Sequence, residues 1–395
     1  AYSLGLKEYG YFSVVAVPKE NQTLLQAREM ILEQIELVKN GDFPEWMLPA
    51  IINDFKVQRL KGLETADGLA TNLYETYIRN KTWLEELSEM DVYASFTKED
   101  VVDFANDFFT ENYVVINKEK GTNDKLLRVE NPGITPIKIN RDAQSDFLKT
   151  IINEESGDVK PEFIDYDKEI ETDFVKDKKI SFVKNKYNDI AQVHFIFPFG
   201  SDHDRKIGLA TQLLQYLGTD QYSPEDLKKE FFKIGISCDF KTSPDQIQIS
   251  LSGLEENIMQ GVALMQHWLE AVAPDEEIYR QFVETVLENR EAAKKDKNRI
   301  MTALINYAKF GKESRQLDFL SKEELENADA HSFTDKISEL LRYPFQIFFY
   351  GRNFDQFKKE IEAGIDFTSK EIPAPKKYPE PETAGNVFFT DYDMV

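Results

Sequence analysis

With 395 residues, 71 acidic against 48 basic side chains and a formal net charge of −23, the chain has the wrong sign for gripping a phosphate backbone or an anionic lipid surface. A composition of 41% hydrophobic and 30% charged residues excludes a disordered, collagen-like or disulfide-scaffold chain, and the length corresponds to two or three domains. The single cysteine, Cys238, excludes an internal disulfide or a thiolate metal cluster. No apolar run reaches the length of a membrane span, because the nearest, 190–199, is short and carries Gln192 and His194. The expectation is therefore no nucleic acid and no membrane span, with cytoplasm and periplasm both open.

The opening residues, AYSLGLKEYGYFSVVAV, read as strand and not as a signal peptide, so the chain is expected to begin inside a domain as a slice of a longer protein. Alternation predicts a strand over 11–17, followed by the helix QTLLQAREMILEQIELVKNG, which stops at Asn40 and Gly41. An acidic, proline-bearing entry, FPEWMLPA, leads into a long polar helix through Lys61. Next come a helix with an aromatic seam, LATNLYETYI, and a helix start at Ser95, Phe96 and Thr97, with Thr97 as the N-cap. A strand over 112–121 closes this unit. Residues 122–170 are polar and punctuated by Pro132, Pro136 and Pro161, as expected of a linker.

Two strands are predicted at 179–184 and 190–199, joined by a turn over 185–189 and followed by the helices GLATQLLQYLG and SPEDLKKEFFKIG. From Gln246 the earlier order recurs: strand 246–254, helix ENIMQGVALMQHWLEAV, the entry APDEEIYR, a long polar helix through Arg299, the aromatic seam MTALINYAKF, a helix start at Ser332, Phe333 and Thr334 with Thr334 as N-cap, and a closing strand over 344–351. Residues 11–121 and 246–352 are thus expected to be equivalent. The predicted organisation is a partial unit at 1–121, a linker at 122–170, a complete unit at 171–372, a proline-rich linker at 373–385 and the first strand of a further unit at 386–395. Strands in groups with helices between them predict an α+β fold of tandem α/β units, each a mainly antiparallel sheet backed by helices.

The chemistry-bearing residues are sparse. His194, His203, His267 and His331 never pair at i+3 or i+4, so no helix offers two imidazoles to one zinc ion. Packing or turn roles are expected for all four. Cys238 has no nearby histidine to form a nucleophile pair and reads as a buried thiol. Glu284 and Glu288 share a helix face at i,i+4, where like charges repel, and read as exposed. No phosphate-binding glycine loop or nucleophile elbow is present.

The stretch 195–240, FIFPFGSDHDRKIGLATQLLQYLGTDQYSPEDLKKEFFKIGISCDF, resembles the start of a repeat unit of the pitrilysin/insulinase family of zinc metallopeptidases. In the active unit of that family the first helix carries H-x-x-E-H, with two His as zinc ligands and the Glu activating water. Here Thr211, Leu214 and Gln215 stand where the first His, the Glu and the second His would be, and Glu288 falls roughly where a third ligand sits. None of the first three can ligate zinc as imidazole does or take a proton, so no catalytic, cofactor-binding or metal residue is assigned in this chain. The resemblance implies that residues 1–121 are the later part of a second unit and 171–372 a degenerate third. It implies zinc in the parent protein, held by a unit outside this chain. It further implies a non-catalytic portion of a metalloendopeptidase that helps enclose a chamber for peptide or unfolded polypeptide, with the zinc-bearing unit or a partner subunit beside it. The alternative it leaves is an inactive structural or interaction subunit, related to processing-peptidase partners and respiratory-complex core proteins.

Overall fold

The computed structural model describes residues 1–5, 8–19, 21–119, 121, 133, 135–154, 157, 160–176, 178–365, 370–379 and 385–390. Strands β1 (Tyr2–Gly5) and β2 (Gly10–Ser13) pair antiparallel as an isolated hairpin. Helices α1 (Leu24–Lys39), α2 (Met47–Gly62), α3 (Ala66–Ile78), α4 (Trp83–Ala94) and α5 (Lys98–Phe108) follow. Thr23, Thr82 and Thr97 each start a helix through a reciprocal capping box with Gln26, Glu85 and Asp100. The stretch between the two units contains the short helices α6 (Asp146–Ile152) and α7 (Tyr166–Glu169).

The second unit runs β3 (Glu171–Val175), β4 (Lys178–Lys184), β5 (Ile190–Phe197), α8 (Ile207–Leu213), α9 (Pro224–Lys233), β6 (Ile236–Thr242), β7 (Ile247–Leu254), α10 (Ile258–Glu270), α11 (Glu276–Ala293), α12 (Lys297–Phe310), α13 (Lys322–Glu326), α14 (His331–Ser338), β8 (Gln346–Gly351) and α15 (Phe354–Gly364). Its strands form one six-stranded sheet in the order β3-β4-β8-β5-β7-β6, antiparallel throughout except for the parallel pair β4 and β8. This is the expected α+β class, a mainly antiparallel sheet backed by helices.

Period-two alternation puts Val193, Phe195 and Phe197 of β5 and Ile249 and Leu251 of β7 on one face, where all are fully buried. Helices cover that face with Leu213, Met265, Phe333 and Ile361. Rings stack where α15 meets the sheet, Phe349 on Phe357 at 4.0 Å and Phe182 on Phe354 at 4.5 Å. Gly253 is required by close approach, since a Cβ there would lie 2.1 Å from the Gly235 carbonyl oxygen.

Helix α2 ties the two units together by crossing the strand ends. Val57 packs on Ile190 at the start of β5 and Leu254 at the end of β7, Trp46 lies 4.9 Å from the Lys233 ammonium, and Asn188 donates to Glu64 at 2.9 Å.

Several elements differ from expectation. The strand expected over 11–17 ends at Ser13, leaving Val14, Val15 and Val17 exposed, and residues 112–119 form no strand. Both lack what their counterparts have: β7 and β8 each hydrogen-bond to β5 between them, and no such central strand is present in the first unit among the described residues. The long helix expected through Arg299 stops at Ala293, because the Asp296 carboxylate accepts the Arg299 amide at 2.8 Å and starts α12. Thr334 is not an N-cap; it is buried inside α14, its hydroxyl donating to the His331 carbonyl. Residues 386–390 form no strand, and 391–395 lie outside the described residues.

This division predicts unequal responses to truncation. Phe349→Ala should lower stability by about 3–5 kcal/mol, the usual loss for a buried aromatic, whereas Phe104→Ala, 63% exposed on α5, should change it by under about 1 kcal/mol. Denaturant unfolding followed by far-UV circular dichroism checks both.

Candidate functional site

The helix expected to be an emptied zinc helix is α8 with the single 3-10 turn that follows it. It is reached through a tight turn at Gly200, where a Cβ would lie 2.3 Å from the Ser243 carbonyl oxygen. Ser201 and Asp202 donate their amides to the Ser243 and Pro244 carbonyls at 3.1 and 2.8 Å, and the Gly200 amide donates to His203 Nδ1 at 3.1 Å. His203 is therefore used up in shaping the turn.

Thr211 points into the packed interior, where its hydroxyl reaches the Gly208 carbonyl at 3.1 Å and Thr242 Oγ1 on β6 at 2.8 Å. Leu214 is fully buried, while Gln215 and Glu288 are exposed. The structure thus sends the first and last of the three motif positions to opposite environments. Among the described residues no three His, Cys, Asp or Glu side chains gather as a metal site. The residues in the ligand positions do not fit zinc.

The remaining candidates take structural roles. Cys238 lies within β6, where burial, with Asp239 beside it, pushes its thiol well above the ordinary range and makes it a poor nucleophile. His267 sits 3.1 Å from Thr219 Oγ1 and 3.7 Å from Asp220, and His331 opens α14 at the surface. Glu284 is exposed, as expected.

What the sequence did not single out is the other face of the sheet. Register aligns Ser181, Phe348, His194, Ser250 and Asp239 in one row across β4, β8, β5, β7 and β6. The neighbouring row runs Val183, Tyr350, Gln192, Ser252 and Ser237. Apart from Asp239 these are neutral hydroxyl, amide, imidazole, aromatic and aliphatic groups, most of them partly exposed. They form a mixed polar and aromatic platform suited to hydrogen bonding and to stacking. At its centre His194 Nδ1 lies 2.8 Å from Ser250 Oγ and 3.0 Å from Gln248 Nε2, with its ring tilted against Phe348. An amide nitrogen only donates, so Nδ1 accepts and the ring proton sits on Nε2. Within single strands the signal is partial: Gln192 and His194 in β5, Gln248, Ser250 and Ser252 in β7 and Gln346 and Tyr350 in β8 alternate with buried residues, but Ile196 and Phe348 interrupt the polar face.

Burial holds the His194 pKa below the ordinary 6.5. The folded state then binds fewer protons at this ring than the unfolded chain does. Stability from His194 is present above pH 6.5 and is lost as pH falls through 6.5 toward the lower folded value. His194→Gln should therefore flatten the fall in stability between about pH 7.5 and about pH 5, measured as denaturant midpoints.

No family model and no curated protein matches the chain. Solved structures similar to it include a peptidase M16 inactive domain from Pseudomonas fluorescens, 12% identical with a TM-score of 0.44 over 52% of this chain and 53% of that one. A protease from Helicobacter pylori is 18% identical with a TM-score of 0.44 over 54% of each chain. The periplasmic protease PqqL from Escherichia coli is 12% identical with a TM-score of 0.45 over 90% of this chain and 43% of that one. The aligned region spans about half the length of the first of these structures.

Proposed function

We propose that the chain is the non-catalytic portion of a zinc metalloendopeptidase, forming part of the wall of a peptide chamber, with hydrolysis performed by a zinc-bearing unit outside it. One observation carries this reading. The strand, tight turn and helix at β5, Gly200 and α8 are the elements that the resemblance matches to a zinc-bearing unit, and within them Thr211 and Leu214 are packed inside while Gln215 faces solvent. A scaffold kept without its chemistry serves shape. Groups remote from the bond being broken still orient a substrate, and the neutral platform on the open sheet face offers amides and hydroxyls to an extended peptide.

The formal charge of −23 adds a long-range attraction for basic peptides that salt weakens. A second reading, an inactive interaction subunit, is favoured by the first unit's helices, where Tyr77 and Leu84 are 82% and 76% exposed.

Zinc content, peptide cleavage and peptide binding on this chain test the proposal together. The expected result is no stoichiometric zinc, no cleavage, and binding of an unstructured Lys-rich peptide over a Glu-rich one that fades as salt rises. Stoichiometric zinc with cleavage abolished by Glu288→Gln would overturn the non-catalytic reading. No binding of either peptide at low salt would remove the chamber wall and leave the interaction subunit.

A further inference from the structure

A proline-rich linker is expected over 373–385. The described residues 370–379, the last of the second unit and the start of that stretch, are fastened to the second unit at several points. The Lys370 amide donates to the Arg342 carbonyl at 2.6 Å, while its ammonium meets Glu339 at 2.6 Å and lies over the Tyr343 ring. Six residues on, the Lys376 amide donates to the Asp202 carbonyl at 2.7 Å. The Lys376 ammonium and the Tyr378 hydroxyl then both donate to one oxygen of Asp318, at 2.7 and 2.8 Å.

The receiving surface is itself cross-linked. Arg315, just beyond α12, holds the Asp202 carboxylate by two parallel bonds of 2.9 and 2.7 Å and places its guanidinium 4.9 Å from the Tyr378 ring centre. Arg205 reaches Asp318 at 3.8 Å and Glu324 at 2.6 Å. The Asp202 and Asp318 side chains are only 10% and 14% exposed, so these pairs are screened less than ordinary surface pairs. Burial alone would raise the Asp318 pKa, but the bonds from Lys376 and Tyr378 outweigh it and hold the carboxyl below its usual range. Burial and that same bond push Tyr378 up to about 12.

We infer that residues 370–378 form an ionic strap, locked across the turn before α8 and the loop after α12 by the Asp202–Arg315–Tyr378–Asp318–Lys376 cluster, which fixes the point from which the following chain leaves the unit. Proline at 373 and 375 stiffens the strap between its anchors. Beyond it, Phe388 meets Tyr307 of α12 edge to face at 6.0 Å, so the chain contacts the unit again further on. The strap lies over two loops that Arg315–Asp202 and Arg205–Asp318 already link, and adds its own bonds to both.

Protease access reads the strap directly, because trypsin requires a detached segment and the cleavage rate follows the detached population. On the full chain, cutting after exposed Lys377 is followed by mass spectrometry. Asp318→Asn and Tyr378→Phe should each speed it about tenfold, while Lys229→Gln, which breaks an exposed pair with Asp226 on α9, should leave it unchanged. Tyr378→Phe leaves the sheet core untouched, so faster cutting with an unchanged unfolding midpoint reports strap release alone. Equal rates in the unmodified chain and both strap variants would overturn the inference.

Discussion

Everything in the second unit depends on β5 being paired along both edges. Its residues from Ile190 to Phe197 match β7 residue for residue, and Gln192 to Ile196 simultaneously match β8. Those partners come from far along the chain, so the sheet exists only when distant segments meet in one register. Because side chains alternate with period two, a slip by a single residue would move Phe195 and Phe197 from the core to the open face and bring His194 inside. Burial of three aromatic or aliphatic side chains from β5 alone, at about 1.5–3 kcal/mol each, opposes such a slip. The same register gathers the neutral platform on the opposite face. Core and platform are two consequences of one pairing.

The first unit shows what happens without that constraint. Four of its five helices, α1, α3, α4 and α5, are started by a threonine cap, and α1 packs with α5, yet Phe12, Phe104, Phe108 and Phe109 meet in an aromatic cluster in which Phe12, Phe104 and Phe108 are exposed. Its connection to the rest is α2, which caps the ends of β5 and β7 with Val57 and Leu60 and carries Glu64 to Asn188. That contact gives the sheet a closed end.

How much was legible depended on whether a feature was local. Thr97 with Asp100 was visible because a cap is a contact over three residues. Thr334 misled, since Asp329 already accepts the Ser332 amide at 2.8 Å and the helix has begun before the Ser-Phe-Thr pattern. Strand β3 was missed because ETDFV alternates weakly and becomes a strand only through its pairing with β4. Thr211, Leu214 and Gln215 could be judged chemically unfit from their identities alone. The platform could not be seen, because Gln192, Ser250 and Phe348 lie in three distant segments that only register brings side by side.

In the proposed reading the sheet face that carries His194 contacts peptide and performs no chemistry on it. Hydrogen–deuterium exchange of this chain with and without an unstructured Lys-rich peptide tests it most directly. The account predicts slowed exchange in β5, β7 and β8 on peptide addition, with no peptide fragments formed. Slowing confined to the helices of the first unit, with the sheet unchanged, would contradict it.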